Sequence, residues 1–414
     1  MGHGNYGEKS ISKTSARPSI IQAPHAERTE LPTTMPLKSN ARIGILTAGG
    51  DCPGLNAAIR GVAKAAMHYG MTVVGIRDGF RGLVENRTMP IDNPLVSGIL
   101  TQGGTFLGSS RDRPHKMKVN GRNVDMTSAA VRNYRKLRLD CLVCLGGNGT
   151  QKSALSLREK GGIDVLTLPK TIDNDVAETD ITFGFDSAMS IATEAIDRLH
   201  TTATSHQRII VCEIMGHDAG WLCLGAGIAG GADVILIPEI PYDLSAVVHH
   251  LARRHKAGKR FSIVAVAEGI VSVEEAERLS ASGGKASPLH RAPSHLEAFA
   301  APGTEGIRLV QEPVSSRIAR QLQQMTGTEA RVTSLGHVQR GGSPTSFDRL
   351  LCTRLGTKAV ELISKGRFNV MVALKGNECV PVTLEKVAGK KRTVPTDHPW
   401  VQTARLTETC LGDE

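Results

Sequence analysis

Residues 41–66 read ARIGILTAGGDCPGLNAAIRGVAKAA. ARIGILTA (41–48) is apolar along almost its whole length, the pattern of a strand covered on both faces. GGDCPG (49–54) interrupts it with a turn. Leu55, Ile59, Val62 and Ala66 then recur at helical spacing. Strand, glycine-rich turn and helix make the opening unit of a parallel α/β sheet. Ligands bind such sheets at the carboxyl ends of the strands, where this turn lies.

The pattern continues along the chain. MTVVGI (71–76), DCLVCL (140–145), IDVLTL (163–168), RIIVCEI (208–214), ADVILI (232–237) and FSIVAVA (261–267) are further strand candidates. Amphipathic stretches such as 186–202 and 244–254 fall between them. Strands alternating with helices predict an α/β protein with mostly parallel sheets. Residues 1–40, rich in Ser, Thr, Pro and Lys, read as a flexible tail. The irregular stretch 271–306 reads as a surface insertion.

With 414 residues, two or three domains or lobes are expected. The 44 glycines, about 11% against a usual ~7%, imply many tight turns or close approaches of backbone to ligand. Aromatic residues are only 3%, which argues against stacking on sugars or single-stranded nucleic acid. The net charge of +10 favours anionic partners. No Lys/Arg run or nucleic-acid motif accompanies it, so phosphorylated small molecules are favoured over nucleic acid. No apolar run of membrane-spanning length and no secretory signal is visible. Eight scattered cysteines fit a reducing cytoplasm, and Cys141 and Cys144 read as strand core rather than a redox pair.

Three segments carry the chemistry. GGDCPG (49–54) and GGNGT (146–150) each join a strand to a helix, where bare backbone N–H groups can cradle phosphate. Either could also be a structural turn. PKTIDND (169–175) sets Asp173 and Asp175 two residues apart after a strand, with Lys170 beside them. A carboxylate can take a proton from a hydroxyl nucleophile, and Mg2+ prefers carboxylate oxygens. A turn closed by Asx hydrogen bonds is the plainer reading. TEARVTSLGHVQRGGSP (328–344) gathers Arg331, His337 and Arg340, which could clamp a phosphomonoester or form a solvated basic face. MGHDAGW (215–221) and AEG (267–269) also follow strands. The G-x-G-x-x-G at Gly225, Gly227 and Gly230 lies within a helix and reads as close packing.

Taken together, GGDCPGLNAAIRG, GGTFLGSSR (103–111), GGNGT, PKTIDND, SHQR (205–208), MGH, AEG and LGHVQRGG resemble the 6-phosphofructokinases of the bacterial type, in the same order. The resemblance covers about 41–350 and extends into the C-terminal part. It implies two Rossmann-like lobes with mostly parallel sheets and an active site in the cleft between them. A donor-binding lobe would span 41–184 plus about 338–400, and a sugar-phosphate lobe 185–337. The implied reaction moves a phosphoryl group to the 1-hydroxyl of fructose 6-phosphate. Asp173 matches the base, Thr171 a residue touching substrate and phosphate, and Arg111 a donor-side cation. Lys170 joins the catalytic set. Gly50, Gly147, Asn148, Gly149 and Thr150 match the donor loops. Ile172, Met215, Gly216, His217 and Glu268 match the sugar site, and His337, Val338, Gln339 and Arg340 the 6-phosphate clamp. Arg208 and Arg331 match arginines that reach a neighbouring subunit's substrate, so a homo-oligomer, dimer or tetramer, is implied. Mg2+ would sit near Asn148 and Asp175.

Two departures stand out. Asn148 replaces an acid that binds Mg2+ in the family, and His217 replaces a frequent arginine. On the donor, Gly149 leaves room for a nucleotide α-phosphate, as in ATP users, whereas Lys170 is typical of pyrophosphate users. The pair resembles the family's mixed-substrate branch, and ATP is the expected donor because steric exclusion is the harder constraint. Pyrophosphate is the alternative. A non-catalytic phosphosugar-binding subunit is a distant one, motivated by Asn148 and His217. Sedoheptulose 7-phosphate is a plausible side substrate. NAD kinases and diacylglycerol kinases share a GGDGT-like loop but lack TIDND and LGHVQRGG.

Overall fold

A computed structural model describes residues 1–2, 40–281 and 313–413. Residues 3–39 of the expected tail and 282–306 of the expected insertion lie outside the described residues. Residues 271–281 are described: Ser272 bridges to Tyr242, and Val273–Ala281 is a helix.

Every strand expected from the sequence forms, within a residue or two of its expected bounds. They divide between two sheets. The first contains β1 (Arg42–Thr47), β2 (Thr72–Ile76), β3 (Thr88–Ile91), β6 (Cys141–Gly146), β7 (Val165–Pro169), β12 (Val370–Lys375) and β13 (Glu378–Thr383). A separate hairpin supplies β4 (Met117–Val119) and β5 (Arg122–Val124). The order of the first sheet is β13-β12-β7-β6-β1-β2-β3. Its inner pairs are parallel, and only the two edges, β2–β3 and β12–β13, are antiparallel. The edge strands carry Pro90 and Pro381, residues that cannot donate to a ladder and are tolerated where one side is open. The second sheet is wholly parallel, in the order β11 (Ala330–Ser334), β8 (Ile209–Ile214), β10 (Ser262–Ala267), β9 (Val234–Leu236).

β1, β6, β7, β8, β9 and β10 are buried along nearly their whole length, which is why they read as continuous apolar runs. Cys141 and Cys144 are fully buried members of β6, and all eight cysteines are free thiols. The G-x-G-x-x-G glycines sit in and just beyond the helix Trp221–Ala229, packed against Met189, Ile235 and Ile196, so they are contact points rather than a dinucleotide turn. No helix among the described residues is long and apolar enough to cross a membrane.

The tightest helix contact joins Leu55–His68, which leaves the first glycine-rich turn, to Ser346–Ser364. A Cβ at Gly356 would stand 2.7 Å from the Val62 nitrogen and 2.9 Å from the Gly61 carbonyl carbon. Backbone cannot yield there as a side chain could. Gly356→Val is therefore expected to cost about 3 kcal/mol, read as a lower urea midpoint. An unchanged midpoint would show that these helices can slide apart freely.

Candidate active site

The ends of β1, β6 and β7 open into one cleft of about 330 Å3. From the loops expected to bind the donor it brings together Gly50, Gly147, Asn148, Gly149, Thr150 and Arg111. Lys170, Thr171, Asp173 and Asp175 follow β7 into it. His217, beyond β8, and Arg340 close it from the other side. Arg113 and Lys391 also line it, and neither was singled out from the sequence.

Local chemistry explains each placement. Thr150 is almost fully buried, and a Cβ at Gly146 would come within 2.0 Å of its hydroxyl, so the first glycine of GGNGT is required by packing. The helix Asn148–Gly161 starts inside this motif, with Gly147 as its N-cap, which aims N–H groups at the cleft. Arg111 is aimed by its neighbours: the Ser109 hydroxyl donates to the Gly49 carbonyl at 2.6 Å and the Gly49 N–H to the Ser110 carbonyl at 2.9 Å. Arg340 lies against Gly50, donating from Nη1 to the Asp51 carbonyl at 3.1 Å. The Lys170 ammonium is buried and donates to the Gly50 carbonyl, and burial pushes its pKa down.

The aspartate loop is held from within. The Thr171 hydroxyl donates to Asp173 Oδ2 and accepts the Asp173 N–H, both at 3.1 Å. Asn174 takes the left-handed conformation (φ 52°), and its side-chain oxygen accepts the Thr182 N–H at 2.9 Å. Ile172 is fully buried and does not line the cleft. Asn148 Nδ2 donates to Asp175 Oδ2 at 2.8 Å and to the Asp175 carbonyl at 3.2 Å. Among the buried polar atoms with no hydrogen-bond partner in the described residues, two are amide or carboxylate oxygens of the cleft lining: Asn148 Oδ1 and Asp173 Oδ1. Unsatisfied buried acceptors are costly, and here both belong to a ligand-sized cleft.

Burial, then the neighbouring Asp173 carboxylate, pushes the Asp175 carboxyl up to about 6 from an ordinary 3.8. The folded chain thus holds a proton there that the unfolded chain has released. This contribution to stability is complete below about pH 4 and disappears as pH rises through about 6. Asp175→Asn is expected to match the parent at pH 4 and to exceed its stability by up to about 3 kcal/mol at pH 8. Thermal melts at the two pH values check this, and a variant less stable at pH 8 contradicts it.

Other expected residues stand outside the cleft. Glu268, at the end of β10, accepts the His217 N–H at 2.8 Å, which holds His217 in a left-handed conformation (φ 54°). Gly269 is needed because a Cβ there would meet the His217 carbonyl at 2.2 Å. Met215 and Gly216 lead into this contact. Arg208 and Arg331 meet on one carboxylate, Glu329, with Arg208 Nε 2.5 Å from it. The sequence reading passed over Glu329. Arg331 lies on β11, not in a turn, while His337, Val338 and Gln339 belong to a 3-10 turn, Gly336–Arg340. His337 and Val338 are exposed, and Gln339 is fully buried.

Glycine-rich strand ends, a carboxylate pair and several cations in one cleft define an α/β site built for anions. The chain belongs to the phosphofructokinase family, whose model matches residues 42–363. It is 54% identical over 374 residues to the ATP-dependent 6-phosphofructokinase of Propionibacterium freudenreichii, covering 90% of this chain and 99% of that one. It is 44% identical over 359 residues to the pyrophosphate–fructose 6-phosphate 1-phosphotransferase of Streptomyces coelicolor, covering 85% and 96%. The phosphofructokinase structure from Saccharomyces cerevisiae superposes with a TM-score of 0.68 at 27% identity. That match covers 84% of this chain and 45% of the longer yeast chain.

Proposed function

We propose that this chain is an ATP-dependent 6-phosphofructokinase that converts fructose 6-phosphate to fructose 1,6-bisphosphate. The observation that carries the reading is Asp173 Oδ1, a buried acceptor without a partner in the cleft of the glycine-rich donor loops. Asp173 takes the proton of the sugar 1-hydroxyl as that oxygen bonds to the γ-phosphorus. The bond from the γ-phosphorus to the β–γ bridging oxygen breaks, and ADP leaves. The Thr171 hydroxyl fixes the rotamer of the base. Arg111, with Arg113 beside it, meets the negative charge of the donor phosphates.

Mg2+ fits the residues present. No trio of His, Cys, Asp or Glu among the described residues forms a cage, but Asn148 Oδ1 and the Asp175 carboxylate supply oxygens to an ion otherwise held by donor phosphates and water. When bound, it would offset donor charge. The donor lobe would comprise 41–184 with about 338–400, and the sugar lobe 185–337. There Glu268, Met215, Gly216 and His217 would hold the hydroxyls, and His337, Val338, Gln339 and Arg340 the 6-phosphate. Arg208 and Arg331, paired on Glu329 away from the cleft, suit a neighbouring subunit's substrate in a homo-oligomer.

Pyrophosphate remains a second reading because of Lys170. Its ammonium sits against the Gly50 carbonyl, and Lys170 lines the cleft beside the glycine-rich loops. Phosphorus NMR of the product tests the acceptor position. A new phosphomonoester at C1 is expected, and phosphate at any other carbon contradicts the reading.

A further inference from the structure

The C-terminal segment beyond the matched family region enters the site. Lys391 pairs with Val176 in an antiparallel bridge, one residue past Asp175. The next residue locks that register. The Arg392 N–H donates to the Asp175 carbonyl at 2.9 Å, and its guanidinium donates to the Asn174 carbonyl at 3.4 Å. That guanidinium also stacks 4.0 Å above Trp221, whose Nε1 donates back to the Arg392 carbonyl at 3.2 Å. Lys391 is therefore fixed relative to the aspartate loop by backbone, not by its own side chain.

Its side chain is left half-exposed and lines the cleft that holds Asp173 and Arg111. The ammonium rests on Asp218 Oδ2 at 2.6 Å, an oxygen that also faces His217 Nδ1 at 3.1 Å. We propose that Lys391 is a phosphate-binding cation of the reacting centre, parked on Asp218 and transferred to the phosphoryl group as charge spreads over it. An ion pair whose lysine side chain is 45% exposed and whose carboxylate is 29% exposed is weak, so exchange for a phosphate oxygen costs little. A lysine on a flexible stem suits such a move better than a rigid guanidinium. The transfer forms only ionic contacts and needs no further reactant. The inference rests on the phosphoryl-transfer reading above.

The experiment compares Lys391→Met, Lys391→Gln, Lys391→Arg and Asp218→Asn, with exposed Lys390→Met as control, in steady-state assays of the full chain. The two neutral variants are expected to lose about 10²-fold in kcat, the scale for removing one charge-stabilising donor, with KM for fructose 6-phosphate within about 3-fold of the parent. Lys391→Arg restores most of the kcat, and Lys390→Met matches the parent. Asp218→Asn raises KM through His217 but keeps kcat. Parental kcat in both neutral variants overturns the inference. So does an Asp218→Asn enzyme that reproduces their loss, because Lys391 would then serve only to hold Asp218. A parent chain inactive with either donor would instead defeat the underlying reading.

Discussion

Asp173→Ser is expected to lower kcat by about 10⁴-fold while fructose 6-phosphate still binds within a few-fold of the parent affinity. A positioned base supplies about 10²–10⁴-fold, and no neighbour can replace this one. Asp175 is the nearest rival, but its Oδ2 accepts the Asn148 amide and its carboxyl still holds a proton near pH 6. Serine keeps a polar group for the Thr171 contact, so the loop should retain its shape. Isothermal titration separates the two effects: binding without turnover supports a base, and loss of both supports a structural role. Turnover within about tenfold of the parent would rule Asp173 out as the proton acceptor.

The second large effect is on donor choice. Gly149→Asp is expected to cut kcat/KM for ATP by about 10²-fold and to change pyrophosphate use by less than about fivefold. A Cβ at Gly149 has room, since its nearest neighbour is the Arg113 guanidinium at 3.5 Å. The substitution is therefore not a packing defect. It installs an anion where a nucleotide α-phosphate would pass and pairs away Arg113, so ATP suffers twice. Pyrophosphate has no third phosphate to be repelled at that position. Equal losses with both donors would show that position 149 does not discriminate between them. The prediction is stronger with Arg113 in view than from the glycine alone.

The contrast between these positions indicates what the sequence could disclose. β1, β6, β7, β8 and β10 were legible because burial on both faces leaves an unbroken apolar run. The glycine-rich strand ends and the aspartate loop were legible because each motif is local. β3 and β13 were not, since edge strands with proline and mixed burial look like loop. Arg113 was hidden in the same polar stretch as Arg111. Lys391 and Arg392 lie in KKRTVP, which reads as solvated surface, and only the bridge to Val176 across 215 residues of chain brings them to the aspartates. Glu329 was invisible for a related reason. A carboxylate shared by Arg208, just before β8, and Arg331 on β11 is a property of β8–β11 register, not of spacing.

The most direct test of the account is a coupled aldolase assay with fructose 6-phosphate and Mg2+, run side by side with ATP and with pyrophosphate at matched concentrations. Turnover with ATP well above that with pyrophosphate is predicted, with the open space at Gly149 outweighing Lys170. Turnover with pyrophosphate alone would contradict the assignment of the donor, and no turnover with either would contradict the assignment of the cleft as a phosphoryl-transfer site.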